Sequence, residues 1–122
     1  MSVKKKLLLV EDETFTATLL KRNLELVGYE VGQPLATGMD AVEAVRKDSF
    51  DAILMDIRLV GEMDGIEAAL RIKAIKDIPI IFLTGYFDEE IIERAKSIEP
   101  VAYLVKPVTP KEIIPLLNKI FG

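Results

Sequence analysis

Leu7-Leu8-Leu9-Val10 is an unbroken apolar run that stops abruptly at Glu11-Asp12-Glu13. Ala52-Ile53-Leu54-Met55 does the same at Asp56. Short runs without polar alternation suit strands buried on both faces, as in a parallel sheet covered by helices. Between the two runs the period changes. Phe15, Leu19, Leu20, Leu24, Leu26 and Val27 recur at helical spacing over residues 14–27, and Gly28 ends the pattern. Residues 29–33 read as a weaker strand nearer an edge. Thr37 reads as the cap of a helix through about residue 47, with Ala41, Val42, Ala44 and Val45 inward.

The second half repeats the alternation. Asp64 with Glu67 gives a capping pattern for a helix through about residue 76. Residues 78–83 are the most β-like stretch and end at Thr84-Gly85; Pro79 is tolerated near the start of a strand. Asp88 reads as the cap of a helix through residue 97. Residues 101–105 form a fifth strand ending at Lys106-Pro107. In Thr109-Pro110-Lys111-Glu112, Thr is the cap, Pro the first helical residue and Glu the third. That helix should reach about residue 121, with a kink or late start at Pro115, which lacks a backbone donor. The expectation is one α/β domain over residues 1–122, (βα)₅ and doubly wound, with a parallel sheet.

Composition narrows the chemistry. Lys and Arg total 16 against 20 Asp and Glu, a net charge of −4, which argues against direct nucleic-acid binding. The chain has no Cys, so disulfides, thiolate nucleophiles and Cys-ligated metals are excluded. It has no His, so there is no imidazole base, no Ser-His-Asp triad and no phosphohistidine of its own. Any metal must be held by oxygen, which favours Mg²⁺, Ca²⁺ or Mn²⁺. No apolar run is long enough to insert in a membrane. Lys4-Lys5-Lys6 reads as a solvated lead-in to the first strand, and the apolar run after it is too short for a signal peptide. A cytoplasmic protein is expected.

In an open parallel sheet the ligand lies at the C-terminal strand ends, at the switch point of strand order. Strand one ends in Glu11, Asp12 and Glu13, strand three in Asp56, strand four in Thr84 and strand five in Lys106. With strand order 2-1-3-4-5, Asp12 and Asp56 face each other. Singly, each residue has an ordinary use as a cap, a turn hydroxyl or a solvated lysine. Jointly they describe a different object. Close carboxylates repel unless a cation sits among them, and Mg²⁺ takes one or two carboxylates while leaving positions for a phosphoryl oxygen. A metal, a lysine and a hydroxyl converging on one carboxylate suit phosphoryl transfer, with Asp itself as nucleophile.

The pattern resembles the response-regulator receiver domain of two-component signalling over essentially the whole chain. The resemblance rests on Leu-Leu-Leu-Val-Glu-Asp-Glu at 7–13, Ile-Leu-Met-Asp-Ile-Arg at 53–58, Met-Asp-Gly at 63–65, Ile-Phe-Leu-Thr-Gly at 81–85 and Tyr-Leu-Val-Lys-Pro at 103–107. It implies a flavodoxin-like fold in which Asp56 takes a phosphoryl group from a partner histidine kinase. It further implies that Asp12 ligates Mg²⁺ directly, that Glu11 supports the metal through water, and that Asp56 and the carbonyl of Arg58 complete the protein ligands. Thr84 and Lys106 would each contact a phosphoryl oxygen. Tyr103 would be the aromatic switch, turning inward as Thr84 moves, with the signal appearing on the face of the fourth helix, fifth strand and fifth helix toward an unknown downstream protein. Such a domain catalyses only its own phosphorylation and dephosphorylation.

The sequence departs from the family pattern past Arg58. The usual Met-Pro is replaced by Leu59-Val60-Gly61-Glu62-Met63, and Gly65 follows Asp56 by nine residues instead of eight. Gly85 stands where Ala is more usual, and Val108 where an aromatic is frequent. Arg58 and Tyr86 flank the acceptor and are expected to set the lifetime of the phosphorylated state, with Tyr86 hindering the attacking water. Competing readings fit less well. An Asp-nucleophile phosphatase wants a second Asp where Arg58 stands. A flavin or nucleotide module wants a Gly-rich phosphate loop where Glu-Asp-Glu-Thr-Phe stands. A receiver-like interaction module that works without phosphorylation is the remaining alternative. The 122 residues hold no output domain, which leaves open a stand-alone regulator or a piece of a longer sensor or hybrid protein.

Overall fold

A computed structural model describes residues 3–86 and 89–122. Among these, five parallel strands alternate with five helices. The strands are β1 (Lys6–Val10), β2 (Glu30–Val31), β3 (Ala52–Asp56), β4 (Ile80–Thr84) and β5 (Ala102–Val105). The helices are α1 (Thr14–Leu26), α2 (Gly38–Lys47), α3 (Gly65–Ile75), α4 (Glu89–Ala95) and α5 (Pro110–Phe121). A 3₁₀ turn, Lys96–Ile98, follows α4. The order is β2-β1-β3-β4-β5, as expected, with β1 beside β3 at the switch point. β2 and β5 are the two margins of the sheet.

The pleat explains why the central strands are apolar on both sides. Leu8, Val10, Ile53, Met55, Ile80 and Phe82 face α2 and α3 in one core. Leu7, Leu9, Leu54, Ile81 and Leu83 face α1 and α5 in the other. Every residue of β3 and β4 is buried, whereas β5 is only partly covered. The caps form where the sequence places them: Thr37 accepts from the Asp40 N–H at 3.1 Å and Asp64 from the Glu67 N–H at 2.9 Å. Glu112 reaches back to the Thr109 N–H at 3.2 Å.

Three expectations change. In α1 the buried residues are Ala17, Leu20 and Leu24, while Phe15, Leu19, Leu26 and Val27 are exposed, Phe15 at 75%. The helix carries two apolar stripes and only one can face the sheet. The edge strand shrinks to Glu30–Val31, because Leu35, beyond Pro34, takes up the pairing with Val10. α5 starts at Pro110 and runs through Pro115 as one helix, so Pro115 imposes no late start. The Asp88 cap lies outside the described residues.

The lengthened loop after β3 is absorbed locally. Gly61 takes a left-handed conformation, φ 96°, that only glycine adopts without strain. Val60 forms a parallel bridge with Thr37. The chain returns to register at Gly65, whose N–H donates to the Ile57 carbonyl at 2.7 Å.

Candidate functional site

The strand ends bring four charged side chains together. Glu11 and Asp56 are buried, Asp12 and Lys106 half-buried. Carboxylate oxygens of Glu11, Asp12 and Asp56 all lie within 4.8 Å of one another. Lys106 Nζ lies 2.7 Å from Asp56 Oδ2 and 2.8 Å from Glu11 Oε1. The latter contact is an ion pair without hydrogen-bond alignment, so Glu11 Oε1 is buried with no hydrogen bond among the described residues. Glu11 Oε2 accepts from the Glu13 N–H at 3.2 Å.

Burial raises the Glu11 pKa above its ordinary 4.5, and the neighbouring Asp56 carboxylate pushes it further; Lys106 opposes both. At Lys106, burial pulls the pKa down, but Asp56 and Glu11 more than offset it, and the net direction is up. The cluster thus has three carboxylates and one ammonium. An all-oxygen donor set of three carboxylates with excess negative charge fits a hard divalent cation such as Mg²⁺.

Thr84 and Arg58 complete the surroundings. Thr84 is buried, and its hydroxyl donates to the Tyr86 carbonyl. Its own carbonyl accepts from the Lys106 N–H at 2.7 Å, tying β4 to β5 at the site. The Arg58 N–H donates to Asp56 Oδ1 at 3.2 Å. The Arg58 guanidinium reaches across to Tyr86: Nη2 donates to the phenol oxygen at 2.8 Å, and the guanidinium carbon lies 5.1 Å from the ring centroid. Tyr103 is half-buried against Phe82, its register partner on β4, with ring centroids 5.8 Å apart, and burial raises its pKa.

Two features were not legible in the sequence. A groove of about 400 Å³ opens between α1 and the β5–α5 connection, lined by Phe15, Leu19, Leu20, Leu83, Pro107 and Val108 beside Lys106. Arg94 on α4 pairs with Asp64, the cap of α3, at 2.7 Å. Each joins residues distant in sequence, and no local pattern announces such contacts.

Comparison with known proteins gives a consistent result. A family model described as the response regulator receiver domain matches residues 7–118. The transcriptional regulatory protein PdtaR of Mycobacterium tuberculosis is 33% identical over 117 residues, covering 96% of this chain. The match takes in 57% of that protein, so the chain spans little more than half the length of this relative. The signal receiver domain of a modulated diguanylate cyclase from Desulfovibrio desulfuricans superposes with a TM-score of 0.89 at 36% identity, covering 97% of this chain and 94% of that one. The receiver domain of a sensor histidine kinase from Pseudomonas aeruginosa, solved with a magnesium ion coordinated in its active-site cleft, gives 0.85 at 32% identity, covering 98% and 100%. Among the described residues no helix is long and apolar enough to cross a membrane.

Proposed function

Because this chain belongs to the response-regulator receiver family, matched over residues 7–118, we propose that it is a phosphorylation switch with Asp56 as the acceptor. The observation that carries the reading is the convergence of Glu11, Asp12, Asp56 and Lys106 at the switch point of the sheet. Receiver domains are signalling domains and not classical enzymes; here the chemistry is confined to the chain's own aspartate.

An oxygen of Asp56 attacks the phosphorus of a phosphohistidine on a partner kinase. The P–N bond breaks, its electron pair leaves with the imidazole, and the aspartyl phosphate remains. These 122 residues hold no His, so the phosphoryl donor lies outside them, either a histidine kinase or a small acyl phosphate. Mg²⁺, held by Asp12, Asp56, the carbonyl of Arg58 and, through water, Glu11, would neutralise charge on the transferring oxygens. Lys106 supplies the second positive charge from the side of Asp56 Oδ2. Thr84 must release the Tyr86 carbonyl before its hydroxyl reaches a phosphoryl oxygen. That movement drags the start of the β4–α4 connection, and Tyr103 follows toward the space near Thr84. The readout is then the α4–β5–α5 face, presented to a downstream protein in the cytoplasm. This is a local charge event biasing a two-state element.

Intact-mass measurement after incubation with acetyl phosphate and Mg²⁺ tests the reading. One phosphoryl group is expected, with none in Asp56→Asn or after chelation of the metal. Absence of both uptake and beryllofluoride binding in the parent protein overturns it in favour of a phosphorylation-independent interaction module. A second outcome concerns lifetime. The Arg58–Tyr86 pair stands beside the acceptor with the phenol half exposed. Tyr86→Ala opens that side to water, so its aspartyl phosphate is expected to hydrolyse several-fold faster in a mass time course. An unchanged or slower rate removes Tyr86 from this role.

A further inference from the structure

Helix α4 is held unlike the others. α1, α2, α3 and α5 bury Leu20 and Leu24, Val42 and Val45, Ile66 and Ile72, and Ile113 and Leu117 respectively. Among its described residues α4 buries Ala95 alone, with Ile91 half-buried, and the 3₁₀ turn that continues it adds Ile98. A fully buried Leu or Ile contributes about 1.5–3 kcal/mol, and an alanine far less. At 7 residues the helix is also too short to persist unaided. Its side-chain ties therefore weigh more than such ties usually do.

The notable tie is Arg94 Nη2 to Asp64 Oδ2, 2.7 Å. Asp64 is not an arbitrary partner. Its Oδ1 caps α3, and the next residue, Gly65, lies directly on the peptide of Asp56: a Cβ built on Gly65 would meet the Asp56 carbonyl oxygen at 2.0 Å. Asp64 is thus fixed to the acceptor's backbone on one side and to α4 on the other. Arg94 also has an alternative partner. Glu90 lies one turn earlier on α4, lines the same cavity of about 260 Å³, and has the favourable acid-before-base order at i and i+4.

We propose that the Asp64–Arg94 pair is a latch that holds α4 in its resting position and opens when Asp56 is phosphorylated, with Arg94 passing from Asp64 to Glu90. The idea rests on the phosphorylation reading above. Thr84 and Tyr86 must part for the hydroxyl to reach the phosphoryl group, and α4 is the next element along the chain. A shift of α4 away from α3 lengthens the pair to Asp64, whereas a pair within α4 moves with the helix. The strength of the latch sets the fraction of molecules already in the active arrangement before phosphorylation.

Hydrogen exchange of the unphosphorylated protein tests the latch itself. Half-exposed ion pairs change an equilibrium by about two- to five-fold. Arg94→Met, and Asp64→Asn, which keeps an oxygen for the α3 cap, are each expected to speed exchange of the amides in α4 and the turn after it by that factor. The double variant should add little, and Arg94→Lys should stay close to the parent. Amides of α1 and β3 should not change. Uniform acceleration across the protein would mean a merely structural pair and would overturn the proposal, as would unchanged exchange in α4. The coupling is read separately: Arg94→Met should bind beryllofluoride with Mg²⁺ about two- to five-fold more tightly. Faster exchange with unchanged affinity overturns the link to Asp56. If the parent protein itself takes up neither phosphoryl group nor beryllofluoride, the phosphorylation reading fails instead, and the exchange result stands on its own.

Discussion

A Gly65→Ala variant melts about 10–15 °C below the parent protein and loses phosphoryl uptake. The reason is steric. The new Cβ would sit 2.0 Å from the carbonyl oxygen of Asp56 and 2.9 Å from its carbonyl carbon and from Ile57 Cα. All three are backbone atoms at the buried end of β3, so no flexible side chain can yield. The start of α3 must lift away, and the Gly65 N–H bond to the Ile57 carbonyl goes with it. Overpacking costs about 1–3 kcal/mol and the lost buried hydrogen bond about 1 more. The same displacement moves the peptide that aims the acceptor. Gly61→Ala is the contrasting case. Nothing lies within 4 Å of its added Cβ, but its φ of 96° is strained for alanine, so about 1 kcal/mol is expected. Thermal melts of the two variants, side by side with the parent, check the ranking. A Gly65→Ala melt equal to that of Gly61→Ala would show that the contact with Asp56 is easily relieved.

Lys106→Met is the second large effect. Lys106 is the cation between Glu11 and Asp56, whose side chains are 0% and 3% exposed. Removing one member of a buried ion cluster leaves its partners uncompensated, worth about 3 kcal/mol here, at the low end because Lys106 itself is partly solvated. The loss depends on pH and on metal in a defined direction. Glu11 already has a raised pKa in the folded protein, so the folded state holds more protons there than the unfolded chain. Its contribution therefore falls as pH rises above the ordinary carboxylate value of 4.5 and through the folded pKa. Without Lys106, the group that draws that pKa back down is gone and the fall steepens. Denaturant melts at about pH 5 and about pH 8 should show the variant close to the parent at the lower pH and far below it at the higher. Excess Mg²⁺ should recover much of the difference at the higher pH, since Lys106 no longer competes with the cation for Glu11 and Asp56 and the variant gains more from binding than the parent does. A variant equally destabilised at both values, or indifferent to Mg²⁺, would place the role of Lys106 in packing.

Much of this was legible because buried parallel strands leave a plain signature. Leu7 to Val10 and Ala52 to Met55 are apolar on both faces, so the first polar residue after each run marks the C-terminal rim. Glu11, Asp12, Asp56 and Lys106 were assigned to one place on that logic and they do converge. Caps were legible for a similar reason: Thr37 and Asp64 act within three residues of themselves. What escaped depends on choices that local pattern does not determine. Periodicity shows that α1 has apolar stripes but not that Ala17, Leu20 and Leu24 win the core while Phe15 and Leu19 rim a groove. The loop carrying Val60 and Gly61 was visibly one residue longer than the family pattern, yet how it closes depends on a bridge to Thr37 on another segment. Arg58 with Tyr86 and Asp64 with Arg94 pair 28 and 30 positions apart, and tertiary packing alone brings them within reach.

The margins of the sheet bear on how the protein behaves when crowded. β2 is only Glu30 and Val31, the first exposed and the second buried, before the chain reaches Pro34, and β5 has 4 residues bracketed by Pro100 and Pro107. A foreign strand laid along either side meets an acidic residue or a proline, which has no N–H to offer, within a few positions. Fibre growth by strand addition needs a long, open and regular ladder, and neither side supplies one. The apolar β3 and β4 segments, the most amyloid-like in the chain, lie inside that guard and become available only when the sheet itself comes apart.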